Sequence, residues 1–379
     1  MRLIFICLLV FLICSPAQAQ DSLATTPARE AYIVDFATGQ VLFAKNATEK
    51  MPTSSMSKVM TMYMVFEALK EGKITLDTEF TVSERAWSMQ GSKMFVELGA
   101  KIKVEDLVRG VIIQSGNDAT IVLAEGLAGS ESAFALAMNK KAESLGMKNS
   151  HFVNASGWPD PEHYSTAEDL AILAKAMITN FPDYYKYYAE KEFTYHNIKQ
   201  GNRNPLLYKN IGADGVKTGH AEEAGYGLIG SGVMDGRRVI MVVNGLASMQ
   251  ERADESSRLL EWALRSFENV KLFSQDQTVE TADVVMGTAR TVPLVFGQDL
   301  IFTLPRLGRD DISARVVYNG PLVAPLTKGQ EVATLFITLP GMPEKSYPLM
   351  AGADVPKLGF FKGLLEKLHL FVEHTLSGK

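Results

Sequence analysis

Thiols are almost missing from this sequence. Its 379 residues include two cysteines, Cys7 and Cys14, both inside an N-terminal stretch with the marks of a secretory signal. Arg2 is followed by an apolar run from Leu3 to Cys14 and then by Ser15-Pro16-Ala17-Gln18-Ala19. Ala17-Gln18-Ala19 is a small-x-small cleavage site, so residues 1–19 are expected to be removed and the mature chain to begin at Gln20. The mature protein then has no thiol, which excludes a cysteine nucleophile, a disulfide framework and thiol redox chemistry. The six histidines, at 151, 163, 196, 220, 369 and 374, form no metal-type spacing with acids or cysteines. That argues against a metallopeptidase, and no cofactor or metal is expected. A Gly-x-Ser-x-Gly elbow is absent, which argues against a Ser-His-Asp hydrolase of that type. The net charge of −5 argues against a nucleic-acid partner. The N-terminal apolar run is too short for a stable membrane span, and there is no internal repeat or low-complexity tract.

What the chain does have is Ser55-Met56-Ser57-Lys58, leading into the apolar stretch Val59 to Lys70 that reads as a buried helix. Ser55 is expected in its first turn, with Lys58 three residues on and on the same face. Serine is a poor nucleophile at neutral pH and needs a nearby base. A lysine one turn away can serve if burial or neighbouring cations lower its pKa. Alone this spacing is weak, because Ser and Lys fall three apart by chance in most long chains.

Two further stretches change the weight. Ser115-Gly116-Asn117 lies between the apolar runs 107–114 and 119–127, as a tight polar turn between helices. Gly116 is expected to relax the turn, and Asn117 or Asp118 to cap the second helix. Lys217-Thr218-Gly219, followed by His220, precedes the strand-like Gly225-Tyr226-Gly227-Leu228-Ile229-Gly230. An edge strand there can bind an extended peptide by strand addition, and Gly219 removes a side chain that would block the approach. The G-x-G-x-x-G spelled by 225–230 lies within a strand pattern and reads as structural. The Gly-Ser pairs at 91–92 and 129–130 read as loop chemistry.

Ser-x-x-Lys, a Ser-x-Asn element and Lys-Thr-Gly, in that order, are the motif set of penicillin-binding proteins and class A β-lactamases. From about Ala31 onward the chain resembles the low-molecular-mass penicillin-binding proteins of peptidase family S11, the serine-type D-Ala-D-Ala carboxypeptidases. Gly116, where the general motif has Asp, is similar to the carboxypeptidase branch. The resemblance implies a peptidoglycan stem pentapeptide as substrate and β-lactams as acylating mimics. It implies Ser55 as nucleophile, Lys58 as its base, and the Ser55 and His220 backbone amides as oxyanion donors. It further implies Ser115 as a relay to the leaving amine, Asn117 as a holder of substrate and base, and Lys217, Thr218 and Gly219, with Arg252, at the substrate carboxylate. Two nearby cations disfavour each other's charge, so Lys217 is expected to lower the pKa of Lys58.

The expected fold is α+β. Ala31–Asp35 and Gln40–Ala44 read as a β-hairpin. Helices are expected at about 55–70, 104–114, 117–128, 131–145, 167–178 and 250–268, and strands at 226–234 and 237–245 around the turn Asp235-Gly236. Ser165-Thr166-Ala167-Glu168 reads as a capping box. Residues 26–272 are thus expected to form an antiparallel sheet with helices packed around it, and the resemblance implies the same, a serine β-lactamase/transpeptidase-like domain. Residues 276–352 carry short β-type runs with turns and read as a small all-β sandwich. Residues 355–376 place Leu358, Phe361, Leu364, Leu365, Leu368, Phe371 and Val372 on one helical face, the pattern of an amphipathic anchor lying on a membrane surface. With the signal segment, this implies the periplasmic face of an inner membrane. A class A β-lactamase fits less well, since no Glu-x-x-x-Asn element stands between Asn117 and Lys217. A DD-endopeptidase uses the same residues and stays as an alternative, as does a catalytically idle wall-binding scaffold. A homodimer is kept among the expected partners.

Overall fold

The computed structural model describes residues 25–306, 313–338 and 344–376; the expected signal segment, 1–19, lies outside them. The chain opens with the expected hairpin of β1 (Glu30–Asp35) and β2 (Val41–Lys45). Its turn is built by the Asp35 carboxylate, which accepts the amides of Ala37 and Thr38.

A 3-10 turn, Ser54–Ser57, then runs into α1 (Lys58–Lys70). The expected single helix from residue 55 is therefore two elements, and Ser55 sits in the tighter one. α1 is apolar nearly all round and buried nearly all round, as such a helix must be. A small ribbon of β3 (Glu79–Thr81) and β4 (Lys101–Lys103) encloses the short α2 (Glu84–Ser88). The helices α3 (Val104–Ile112), α4 (Asn117–Ala128), α5 (Glu131–Ser144) and α6 (Ala167–Asn180) follow close to expectation and pack around α1. The cap of α6 is shifted by one residue from the expected box. Thr166 Oγ1 accepts the Asp169 amide, and the Asp169 carboxylate instead holds Asn149 N–H and the Ser150 hydroxyl. After α7 (Pro182–Tyr185) comes a hairpin, β5 (Glu192–Tyr195) and β6 (Ile198–Gly201).

β7 (Ala213–Ala221), β8 (Gly225–Met234) and β9 (Arg237–Leu246) complete an antiparallel five-stranded sheet in the order β2-β1-β9-β8-β7. Asp235 and Gly236 both take positive φ, 52° and 77°, as the two-residue hairpin turn requires. Alternation along the strands splits the core in two. Ile240 and Val242 face the helical layer around α1, while Val239, Met241 and Val243 face α8 (Met249–Arg265) on the other side. β7 ends the sheet as an edge.

α8 stops at Arg265 rather than near 268, and Phe267–Phe273 forms β10. β10 pairs with β13 (Leu300–Pro305). β11 (Thr278–Val285), β12 (Thr291–Val295), β14 (Ser313–Val317), β15 (Leu322–Val323), β16 (Glu331–Thr338) and β17 (Lys345–Ala351) form a six-stranded sheet ordered β14-β16-β17-β12-β11-β15. Their common core includes Leu294, Phe302, Leu335 and Leu349. This second unit is all-β, as expected. β17 was not anticipated because Pro348 interrupts its strand pattern. The final helix, α9 (Phe360–Leu376), sets Gly363 beside Met286 and pairs Glu366 with Arg290. Phe360, Phe361, Leu364, Leu365 and Leu368 remain exposed.

Asp35 joins the two units. Its carboxylate pairs with Arg237 at 2.8 Å, both groups buried, and accepts from Asn269 of β10 at 3.2 Å. Asn269 in turn accepts from Thr303 of β13, whose hydroxyl meets that of Thr38 at 2.6 Å. Removing one partner of a buried ion pair leaves the other charge uncompensated. Asp35→Ala is therefore expected to lower unfolding stability by about 3–5 kcal/mol. Denaturant melts followed in each unit check this, and a loss near zero would contradict the junction's role.

Candidate active site

Lys58, the first residue of α1, is fully buried, and its amine meets three oxygens. Nζ lies 2.9 Å from Ser55 Oγ, 2.7 Å from Asn117 Oδ1 and 2.6 Å from the Ser156 carbonyl. The two carbonyl oxygens can only accept. A neutral amine has two hydrogens and one lone pair, so its hydrogens go to Asn117 and Ser156. The lone pair is left facing the Ser55 hydroxyl. That is the arrangement of a base about to take the serine proton.

Electrostatics agree with the geometry. Burial, then the Arg203 cation, push the Lys58 pKa down to about 7, against a smaller opposing pull from Asp118. The expected repulsion between Lys58 and Lys217 is mutual and is felt at Lys217. Its pKa is held well below the ordinary lysine value by burial, with Lys58, Arg203 and Arg252 adding to the shift.

The Ser115-Gly116-Asn117 turn differs from its expected form. Ser115, not Gly116, takes the left-handed conformation, with φ 58°. Gly116 is needed for room, since a Cβ there would come within 2.8 Å of Asp118 Oδ1 and 3.1 Å of Met94 N. Neither Asn117 nor Asp118 caps α4 with its side chain; the cap position is Gly116. Asn117 uses Oδ1 on Lys58 and Nδ2 on the Gln90 carbonyl. Asp118 instead accepts the amides of Met94, Phe95 and Val96, which holds the 90–96 segment against the site. Ser115 is buried nearby, but its side chain is not among the Lys58 partners described.

β7 brings up the third motif. Lys217 and Thr218 are buried, whereas His220 is exposed and stacks on Tyr226 with ring centroids 4.0 Å apart. Gly219 serves a different purpose from the one expected. A Cβ there would point inward, to within 2.9 Å of Thr53 O and 3.1 Å of Met56 Cγ. The missing side chain lets β7 close on the turn that carries Ser55. Arg252 is buried as well; it donates to the Gly219 carbonyl at 3.5 Å and lies over the Tyr226 ring. The strand motif, Arg252 and the turn thus converge, which a surface arginine at a helix start would not do.

A cavity of about 960 Å³ opens over Ser55, lined among others by Asn117, Ser156, Gly157, Trp158, His163 and His220. Gly91 and Ser92 also line it, so that pair is more than loop chemistry. Ser92 accepts the Asn117 amide on its carbonyl and Arg203 on its hydroxyl. The pair at 129–130 is loop chemistry, as expected: Gly129 ends α4 at φ 78° and Ser130 caps α5. Sequence reasoning missed Arg203 and Ser156. Ser156 acts through its backbone carbonyl, so its side-chain identity carries no signal, and Arg203 is a lone arginine in a loop. Among the described residues, no cluster of His, Cys, Asp or Glu could hold a metal ion.

A turn-borne serine aimed at the lone pair of a buried lysine, beneath a cation-bearing edge strand, defines a serine acyl-transfer enzyme of the penicillin-recognising type. Residues 16–248 match the peptidase S11 family, D-alanyl-D-alanine carboxypeptidase, and residues 267–357 match the C-terminal domain of penicillin-binding protein 5. The chain is 40% identical over 363 residues to the D-alanyl-D-alanine carboxypeptidase DacC of Escherichia coli, covering 93% of this chain and 91% of that one. Penicillin-binding protein 5 of Haemophilus influenzae superposes with a TM-score of 0.78 at 37% identity, covering 88% of this chain and 99% of that one. DacD of Francisella tularensis superposes at 0.80 with 33% identity, over 89% and 95%. The chain belongs to the D-alanyl-D-alanine carboxypeptidase family.

With its pKa lowered to about 7 by burial, a Lys58 amine serving as the base is neutral and competent above that pH. The acylation rate constant for a penicillin is expected to rise with pH through about 7 and then level off. A profile that is flat from pH 5 to 9, or that falls as pH rises, contradicts Lys58 as base.

Proposed function

We propose that the protein is a serine-type D-alanyl-D-alanine carboxypeptidase that removes the terminal D-Ala from peptidoglycan stem pentapeptides through a Ser55 acyl-enzyme. The observation that carries this is the Lys58 amine, whose hydrogens are occupied by Asn117 and Ser156 and whose lone pair faces Ser55. Ser55 Oγ attacks the carbonyl of the penultimate D-Ala as its proton passes to Lys58 Nζ. The developing oxyanion is met by the backbone amides of Ser55 and His220, two residues that both line the cavity. The proton now on Lys58 passes by way of the Ser115 hydroxyl to the leaving D-Ala amine, and water then hydrolyses the ester, returning Ser55 and Lys58 to their starting states.

The substrate carboxylate supplies what the cations around β7 lack. Lys217, Arg203 and Arg252 each have their pKa lowered by burial, and the other cations press further on Lys217. An anion placed among them relieves that repulsion. Thr218, beside Lys217 on β7, adds a hydroxyl donor there. β-Lactams, which present an acyl bond and a carboxylate in the same relation, acylate the same serine. Ser55→Ala is expected to form no penicillin adduct and release no D-Ala from a pentapeptide, while staying within about 1 kcal/mol of the parent stability. An adduct that persists in this variant overturns the assignment.

The same reading places the enzyme on the periplasmic face of an inner membrane. No single described helix is long and apolar enough to cross a membrane. α9 turns Phe360, Phe361, Leu364, Leu365 and Leu368 outward while Glu366 packs toward Arg290, the disposition of a helix lying in an interface. The lysines at 357, 362, 367 and 379 barely outnumber Asp354, Glu366 and Glu373, so apolar burial dominates over attraction to anionic lipid. The full mature chain is expected to pellet with membranes and resist high salt, while a chain ending at Asp354 stays soluble and active. A soluble intact chain contradicts the anchor.

A further inference from the structure

His163 takes no part in the chemistry above, yet it lies directly behind the turn that carries the nucleophile and is only 4% exposed. The Val153 amide points at its Nδ1 from 3.2 Å. An amide can only donate, so Nδ1 accepts and the ring proton sits on Nε2. Nε2 lies 2.7 Å from Ser57 Oγ. The Ser57 hydroxyl therefore accepts from the imidazole, and Thr53 Oγ1, 2.5 Å away, is the acceptor described for its own hydrogen. Thr53 is the residue before the 3-10 turn and Ser57 is its last. The one-way chain from His163 through Ser57 to Thr53 ties the turn's two ends together, with Ser55 held between them. Ser57 and Thr53 are both fully enclosed, at 0% and 1% exposure, so water does not compete for these bonds.

The excursion that carries His163 grips the same region at two more points. Its Ser156 carbonyl takes a hydrogen from Lys58, and its Ala155 carbonyl takes one from Thr61 Oγ1 at 2.6 Å. A histidine that merely filled space beside Phe152, which it meets edge-on at 5.5 Å, would have no need to direct a proton into the turn.

We propose that His163 is a positioning residue for the nucleophile: as a neutral imidazole it locks Ser57, and through Ser57 Thr53, so that the turn presents Ser55 Oγ to Lys58 Nζ. This rests on Ser55 being the nucleophile. The locked geometry serves the acylation step rather than binding, because misplacing a reacting atom by about 1 Å can cost on the order of 100-fold in rate. A protonated ring would turn an Nδ1 hydrogen against the Val153 amide, donor against donor. Burial is the main influence holding the ring neutral; Asp160 favours the cation, while His151 and Lys58 oppose it, and its pKa is lowered to about 4. The ring therefore keeps one charge state across the range in which Lys58 changes its own.

Saturation kinetics of acylation by a fluorescent penicillin, on the full mature chain, separate the non-covalent Kd from the acylation rate constant. His163→Ala and Ser57→Ala are each expected to slow acylation by about 10–100-fold while Kd moves by less than about threefold. The double variant is expected to be no slower than the slower single one, because both remove the same chain of bonds. His163→Gln, which retains a side-chain N–H donor, is expected to recover most of the rate. The inference is overturned if His163→Ala acylates within about twofold of the parent whatever its melting temperature, if the two single losses multiply, or if the Gln variant is as slow as the Ala one. Should His163→Ala fail to fold, Ser57→Ala and His163→Gln carry the test. A parent chain that forms no adduct, or a Ser55→Ala chain that does, would instead sink the assignment of the nucleophile.

Discussion

The site depends on one buried amine with two carbonyls taking its hydrogens. Lys58 is useful only while Asn117 and the Ser156 carbonyl hold its two N–H groups, because that leaves the lone pair for Ser55. Each of those oxygens arrives from a different part of the chain: the start of α4, and the excursion between α5 and α6. Enclosing a lysine ammonium is costly, and the protein meets that cost by leaving the amine neutral near physiological pH rather than by pairing it with a carboxylate. Asp118, the acid that pulls against this shift, is committed to three backbone amides of the 94–96 segment.

The rest of the domain can be understood as what brings those groups together. A central apolar helix starts at Lys58, so the position of that residue is fixed by packing on all sides. The 3-10 turn ahead of it is pressed between β7 and the 151–164 excursion. Close approach on both sides is permitted by residues without side chains: Gly219 faces Thr53 and Met56, and Gly157 faces Ser54. Lys217 on the β7 edge then meets Arg203 from a loop and Arg252 from α8, cations whose charges disfavour one another. The all-β unit is joined to this domain through Asp35 on β1, which two strands separate from β7, so the join leaves the β7 edge open.

Much of this was legible in the sequence because it depends on local pattern. The helices from 104 to 178 follow their apolar periodicity, the β8–β9 hairpin follows from Asp235-Gly236, and the three motifs mark Ser55, Lys58, Asn117 and Lys217 by side-chain type. What escaped depends on contacts distant in sequence or made by backbone. The Ser156 carbonyl has no side-chain signature. Arg203, in a loop, becomes meaningful only once it folds against Ser92, and Arg252, marked through the resemblance alone, only once α8 brings it to the Gly219 carbonyl. Gly219 was rightly marked, but its reason could be known only once Thr53 was placed beside it. The ends of the α8 and α6 expectations were off by a few residues, where the apolar pattern continues into β10 and where two adjacent hydroxyl residues compete for one cap.

The claim on which the account turns is that the Lys58 amine is neutral and aimed. Neutron diffraction from deuterated crystals grown near pH 8 would locate the hydrogens directly. The account predicts two on Lys58 Nζ, directed at Asn117 Oδ1 and the Ser156 carbonyl, with the Ser55 hydroxyl hydrogen pointing back at Nζ. Three hydrogens on Nζ, one of them directed at Ser55 Oγ, would contradict it.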